Sequence, residues 1–401
     1  MAIQDLFIKD YDYDLPIDKI AQTAIEPRDA SKLLFYNNGN ITDSNFKNLA
    51  EFIPKNAGLF YNDARVIPAR IFTQNEFGAH LEIFLLKPFK TEYFQALNSQ
   101  SYCLWECLIG NKKKWKNDTT LTLILNIEQY NLSMQFDWHD RDNNIVKISW
   151  NNTQFRFIEL LFKIGEMPLP PYIKRPSNSN DKDRYQTIYS NTDGSVAAPT
   201  AGLHFTDAVI ESLRKNNFSM NPLTLHVSAG TFLPVTVEKA TEHPMHEEYF
   251  TISIDTLQQL LNTEYPIAVG TTSVRVIESL YWCAVRLTLN MEQPFIVNKL
   301  DPYELSHLNL DKTSALKTLI SYLKMRQLTA INGVTSIMIM PSYRFMFVCG
   351  LITNFHQPKS TLLLLIAAFT NNNWLNIYKH ALNNNYRFLS YGDSSLLLRQ
   401  T

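Results

Sequence analysis

The residues best suited to proton chemistry lie in four short turns built of small and polar side chains. The first is V-A-A-P-T-A-G-L-H-F-T, Val196 to Thr206, with one imidazole at His204. The second follows His226 and reads Ser228-Ala229-Gly230-Thr231-Phe232. The third is Thr271-Thr272-Ser273 ahead of Arg275, and the fourth runs from Thr353 through Asn354, His356 and Lys359 to Thr361. Imidazole titrates nearest neutrality, so it serves as acid and as base. Small residues let a ligand approach the backbone, and the free N–H groups of a helix start suit an anion. One such turn is equally well a tight loop before an amphipathic helix. Four of them point to one cleft lined by imidazoles, hydroxyls and backbone donors.

Other clusters are weaker. His243-Pro244-Met245-His246 with Glu247 and Glu248 has four potential metal ligands. An i, i+3 spacing broken by proline, with no partner cluster, favours a proton-handling role or a surface turn instead, so no metal is expected. Arg65 and Arg70 flank a proline-stiffened segment that could hold phosphate or carboxylate, or pair with surface acids. Lys112-Lys113-Lys114-Trp115-Lys116 has the composition of a phosphate-and-base contact, and equally that of a solvated hairpin turn. Lys359-Ser360-Thr361 lacks the glycines of a phosphate-binding loop, and no G-x-G-x-x-G follows a strand, so neither a triphosphate nor a dinucleotide site is supported.

The elements that would position these turns read as follows. Lys32 to Tyr36 and Gly58 to Asn62 have strand character, with a short amphipathic piece from Pro16 to Ile20. Between 71 and 158 the apolar residues alternate or run at strand length, at Leu81–Leu86, Tyr102–Ile109, Leu121–Ile127 and Ile145–Trp150. Polar turns separate these runs and no long helix appears, which gives a small all-β domain inserted into a larger one. After it come an extended Gly165–Tyr172, a helix over about 207 to 216 capped by Thr206 or Asp207, and a strand Pro222 to Val227. A helix starting at Thr256, a buried strand Pro266 to Gly270 and a helix from Thr271 follow. Leu316, Leu319, Ile320 and Leu323 form a packing stripe. The chain ends in strands Ser336–Met340 and Phe345–Ile352 and a helix Leu362–Phe369. The expected organisation is a larger α/β (α+β) domain from 1–70 and 159–401, with the β domain at 71–158. Ligands of α/β sheets bind beyond the carboxyl ends of strands, where Thr271 and Thr353 fall.

With 37 Lys+Arg against 38 Asp+Glu, no global field steers a polyanion or a membrane. Four scattered cysteines fit a reducing cytosol. The N-terminal residues show no signal-peptide pattern, and the longest apolar run, Leu362 to Phe369, is far short of a bilayer span. A cytoplasmic protein without membrane contact is expected.

The run A-A-P-T-A-G-L-H-F-T, Ala197 to Thr206, resembles the signature of the QueA family, the S-adenosylmethionine:tRNA ribosyltransferase-isomerases of queuosine biosynthesis. The resemblance extends in order over nearly the whole chain: Arg28–Ser31, Tyr61–Arg70, Glu166–Tyr172, Asp183–Gln186, Leu225–Phe232, His243–Glu248, Gly270–Arg275 and Thr353–Thr361. It implies a barrel-like inserted β domain. It also implies transfer and isomerisation of the ribosyl group of S-adenosylmethionine onto the aminomethyl group of a 7-deazaguanine at the tRNA wobble position. The products would be epoxyqueuosine-tRNA, adenine and methionine. S-adenosylmethionine would be a co-substrate, with no prosthetic group, and the protein a monomer.

That chemistry needs a base for the acidified 5′-carbon and an acid for departing adenine. On this resemblance His204, His246 and His356 are the candidates, with Glu166 as an alternative base. Arg65, Arg275 and the Thr271, Thr272 and Ser273 hydroxyls would hold the methionine carboxylate or ribose. Pro199, Thr200, Gly202, His226, Gly230, Thr231 and Asn354 would complete the substrate site. Lys112, Lys113, Lys114, Lys116, Arg184 and Lys359 would meet tRNA phosphates. The chain departs from the family pattern at Ala64, Ser228, Ser342 and Ser394-Ser395, around Trp115, and in a longer 284–334 region. A divergent paralogue that uses another acceptor, or binds RNA without this catalysis, is the alternative these departures leave.

Overall fold

Ten strands form one sheet with a parallel centre, in the order Ile296–Val297, Ala330–Thr335, Glu248–Ser253, Ser219–His226, Ala57–Asn62, Tyr265–Val269, Gly350–Asn354, Ser394–Leu398, Lys32–Asn37, Asn40–Asn45. This is a computed structural model, and it describes residues 6–127, 129–227 and 237–399. Ser219–His226, Ala57–Asn62, Tyr265–Val269 and Gly350–Asn354 run parallel, and antiparallel partners flank them on both sides. The central strands are buried on both faces, as parallel strands covered by helices must be. Phe60, Ala268 and Leu351 pack into one layer with the helix Thr271–Thr288, while Leu59, Ile267 and Ile352 pack into the other with the helix Asp207–Lys215. This alternation is the period-2 geometry of a strand.

The second sheet has seven strands, all antiparallel: Gly165–Glu166, Arg70–Gln74, His80–Pro88, Tyr102–Gly110, Ile145–Trp150, Tyr130–Asp140, Leu121–Ile127. Arg70–Gln74 and Leu121–Ile127, well separated in that order, touch each other, so the sheet curls into a half-barrel. Its core includes Trp105, Trp115, Phe136 and the buried face of the helix Phe157–Ile164. The mixed α/β architecture with a curled all-β unit is therefore the one expected.

Several local expectations are corrected. Ser336–Met340 is no strand. The ladder uses Ala330–Thr335 instead, paired with Glu248–Ser253, and Ile337 to Met340 are buried in the main core without a β partner. Burial accounts for their apolar character. Phe345–Val348 is likewise outside the sheet, because the Glu278 carboxylate accepts from the backbone N–H groups of Met346, Phe347 and Val348 at 2.8, 3.0 and 2.9 Å. The helix expected from Thr256 begins at Ile254, capped by Ser253, whose Oγ accepts from Thr256 N at 3.0 Å. Thr206 caps the helix Asp207–Lys215 as expected, accepting from Val209 N at 3.3 Å. Two elements were passed over although their periodicity is legible: the strand Tyr130–Asp140 alternates apolar residues at Tyr130, Leu132, Met134, Phe136 and Trp138, and the helix Trp374–Asn383 buries Trp374, Ile377, Tyr378 and Ala381 at i, i+3, i+4 and i+7.

Candidate functional site

Three of the four turns meet in one cleft of about 310 Å³ at the carboxyl end of the parallel strands. Ala197 to Ala201 form one wall, Gly270 to Thr272 another, and Thr353 to Leu362 a third, with Tyr172, Val227, Leu389 and Ser390 completing the lining. Two helix starts open there. Gly270 caps the helix Thr271–Thr288 at φ 92°, a left-handed conformation that glycine adopts without strain. Ser360 caps the helix Thr361–Phe369, its Oγ accepting from Leu363 N at 3.2 Å. Both offer unpaired N–H groups and the positive end of a helix dipole.

His356 is the imidazole on the cleft wall. Its Nε2 lies 3.0 Å from Thr353 Oγ1, and its Nδ1 has no hydrogen-bond partner among the described residues. The backbone on either side is pinned: His356 N donates to Tyr378 Oη at 3.0 Å, and Tyr13 Oη donates to His356 O. Burial lowers its pKa to about 4, so the ring is neutral near pH 7.

Asn354 also lines the cleft and is 3% exposed. Its Nδ2 donates to Leu389 O at 3.2 Å and lies 3.1 Å from His204 Nε2, while its Oδ1 has no partner among the described residues. His204 sits behind it, out of the lining. Its Nδ1 is 2.7 Å from Ser31 Oγ, and its ring packs on Phe46 with centroids 5.1 Å apart. Burial, reinforced by the positive charges of Arg184, Arg28 and Arg387, lowers the His204 pKa to about 3.

The remaining sequence candidates fall in several places. Pro199, Thr200, Thr271 and Thr272 line the cleft, and so does Lys359, which pairs with Asp12 at 2.8 Å. Gly202 does not. A Cβ there would stand 2.1 Å from Tyr189 Oη, so this glycine makes room for a tyrosine. The Ser273 hydroxyl is turned inward and donates to Val269 O at 2.8 Å. Arg275 and Glu248 form a buried ion pair, and with His243 and His246 they line a smaller adjoining pocket that shares Thr361 and Leu362 with the cleft. Burial lowers the His246 pKa, with Arg275 and Lys87 adding to the effect.

His226 lines a separate hollow beside the second sheet, stacked on Tyr93 at 4.5 Å, with its pKa lowered by burial to about 4. Glu166 is exposed at the edge of that sheet, accepting from Ser177 Oγ at 2.8 Å. Arg65 lies 3.9 Å from Asp193 and over the Phe162 ring. Lys113, Lys114 and Lys116 are exposed, whereas Lys112 donates to Arg141 O at 2.7 Å and Trp115 is fully buried. Arg184 pairs with Glu26 at 3.2 Å in a surface hollow near Arg175. Gly230, Thr231 and Ser228 lie outside the described residues. Tyr172 and Ser390 were not singled out in the sequence as site residues. Tyr172 Oη and Ser390 Oγ are 2.6 Å apart across the cleft wall, and no local pattern links two residues 218 positions apart.

Among the described residues no three His, Cys, Asp or Glu side chains gather as metal ligands, and no helix is long and apolar enough to cross a membrane. Comparison with known proteins gives one consistent result. The model of the "Queuosine biosynthesis protein" family matches residues 8–397. The S-adenosylmethionine:tRNA ribosyltransferase-isomerase of Halothermothrix orenii is 35% identical over 399 residues, covering 98% of this chain and 99% of that one. The enzyme of the same name from Magnetococcus marinus is 36% identical over 395 residues, covering 97% and 93%. A crystal structure of S-adenosylmethionine tRNA ribosyltransferase from Thermotoga maritima is 26% identical over 97% of this chain and 99% of that one, at a TM-score of 0.45. On the family match and the two relatives, this chain belongs to the queuosine biosynthesis protein family.

Proposed function

We propose that the cleft binds S-adenosylmethionine and that the chain, a transferase of its family, carries the ribosyl group over to tRNA there. The reaction transfers and isomerises the ribosyl moiety onto the 7-aminomethyl-7-deazaguanine wobble base, giving epoxyqueuosine-tRNA, adenine and methionine. One observation carries this reading. The Ala197–Ala201, Gly270–Thr272 and Thr353–Leu362 turns converge on one hollow at the strand ends, with a neutral imidazole on its wall. His356 takes or gives the proton, since its Nδ1 has no partner among the described residues and its ring is uncharged at neutral pH. The sulfonium acidifies the 5′-carbon, a proton leaves there, adenine departs protonated, the neutral amine of the acceptor attacks, and methionine leaves with the electron pair of the C5′–sulfur bond as the epoxide closes. The methionine carboxylate fits the N-terminus of the helix Thr271–Thr288, beside the Thr271 and Thr272 hydroxyls.

The same reading assigns 71–158 as the inserted β domain and 1–70 with 159–401 as the catalytic domain. Lys113, Lys114, Lys116 and Arg184 would contact tRNA phosphates, in a monomeric, cytoplasmic enzyme. Incubating the protein with S-adenosylmethionine labelled in adenine and in methionine, together with tRNA carrying the precursor base, tests the reading. Free adenine and methionine, formed only with that tRNA, are expected. Release of S-adenosylhomocysteine, or no adenine with any acceptor, would overturn it.

A further inference from the structure

We infer that His204 is a positioning residue for Asn354, and that Asn354 Oδ1 is the acceptor that selects a hydrogen-bond donor on the bound nucleoside. This rests on the reading that the cleft takes S-adenosylmethionine, and it goes further by naming the contact. The argument starts from the orientation of one amide. Asn354 Nδ2 faces three acceptors: Leu389 O at 3.2 Å, His204 Nε2 at 3.1 Å and Asp393 O at 3.5 Å. Exchanging its nitrogen and oxygen would set Oδ1 against two carbonyl oxygens, lone pair to lone pair. The amide therefore presents N–H to Leu389 O and to His204 Nε2.

That fixes the imidazole. Nε2 accepts, so Nδ1 carries the hydrogen and donates to Ser31 Oγ at 2.7 Å. A second proton would place N–H against N–H, and the buried ring among the charges of Arg184, Arg28 and Arg387 is held neutral in any case. The one lone pair of His204 is thus occupied, which leaves it nothing with which to abstract a proton. What the relay Ser31–His204–Asn354 does is leave Asn354 Oδ1 free, in a residue 3% exposed on the cleft wall, with no partner among the described residues. A buried acceptor without a partner is costly unless a ligand supplies the hydrogen. An amide oxygen accepts and never donates, so the matching group is an N–H or O–H. On this nucleoside that is the adenine amine, the ribose 2′-hydroxyl or the 3′-hydroxyl.

The test pairs Asn354→Ala with three S-adenosylmethionine analogues: N6,N6-dimethyl, 2′-deoxy and 3′-deoxy. The wild-type enzyme is expected to lose about 10- to 100-fold in kcat/KM on the analogue missing the contacted donor. The alanine variant is expected to lose a similar factor on the natural substrate and to lose nothing further on that one analogue, which identifies the donor. His204→Gln, whose amide oxygen still accepts from Asn354, keeps turnover within about tenfold with an unshifted pH profile, while His204→Leu shows the analogue-insensitivity of Asn354→Ala. Equal further losses of Asn354→Ala on all three analogues would overturn the inference. So would a folded His204→Gln that binds S-adenosylmethionine but has lost about a thousandfold or more in turnover, since that is a missing base. A wild-type enzyme that releases no adenine from S-adenosylmethionine would refute the functional reading instead.

Discussion

At the scale of single residues, the buried imidazoles divide the work by what surrounds their nitrogens. His356 has one nitrogen on the cleft wall without a partner among the described residues, and His204 has both engaged behind it. His356→Gln should therefore lower kcat by about 10² to 10⁴ while leaving S-adenosylmethionine affinity within a few-fold, measured by adenine release and by calorimetry. Burial holds the His356 pKa at about 4, so the ring stays unprotonated well below the usual 6.5. The acid limb of kcat/KM, wherever the fold persists, should consequently fall nearer pH 4 than pH 6.5. His204 makes a separate prediction about stability. Its pKa is about 3 folded and 6.5 unfolded, so below 6.5 the unfolded chain binds the extra proton and stability drains as pH falls. Full stability returns above 6.5. Between pH 7.5 and 5 the wild type should lose about 2 kcal/mol more than His204→Gln in urea titrations, the equivalent of 1.5 units of protonation.

At the scale of elements, the segment 341–348 shows how backbone can be held without regular structure. Glu278, fully buried in the helix Thr271–Thr288, accepts from three consecutive backbone N–H groups and from Tyr343 Oη at 2.8 Å. Glu278→Ala would leave those donors buried without partners and should cost about 3 kcal/mol or more, read as a shift in denaturation midpoint. Ser342 begins the same segment at φ 86°, in the left-handed region, and its side chain is exposed. Glycine adopts that conformation without the steric cost that a side chain carries there. Ser342→Gly should stabilise the protein by about 1 kcal/mol, with unchanged adenine release. A loss of stability would mean that the serine side chain makes a contact of its own.

At the scale of the whole molecule, the curled sheet carries the Lys112–Lys116 turn while the cleft belongs to the ten-stranded sheet. Trp115 is buried there and packs on Trp138 at 4.2 Å, so the aromatic ring in that basic stretch serves the core and the lysines alone face outward. Replacing Lys113, Lys114 and Lys116 with alanine should flatten the salt dependence of tRNA binding by a log–log slope of about 2, with S-adenosylmethionine affinity unchanged.

The sequence alone determined the identity of the turns, because small residues, caps and imidazoles act locally. It also determined the two textures of the chain, since a period-2 pattern follows from one buried face. Thr200, Thr271, Asn354 and His356 could be picked out as candidates for that reason. Only the tertiary structure decided which of them share a hollow. It placed His204 behind Asn354, Gly202 under Tyr189, and Arg275 in an ion pair with Glu248. It also joined Tyr172 to Ser390 and let Glu278 replace a strand ladder. Those outcomes depend on contacts between residues far apart in the chain, and no local spacing records which polar group will find its partner once water is excluded.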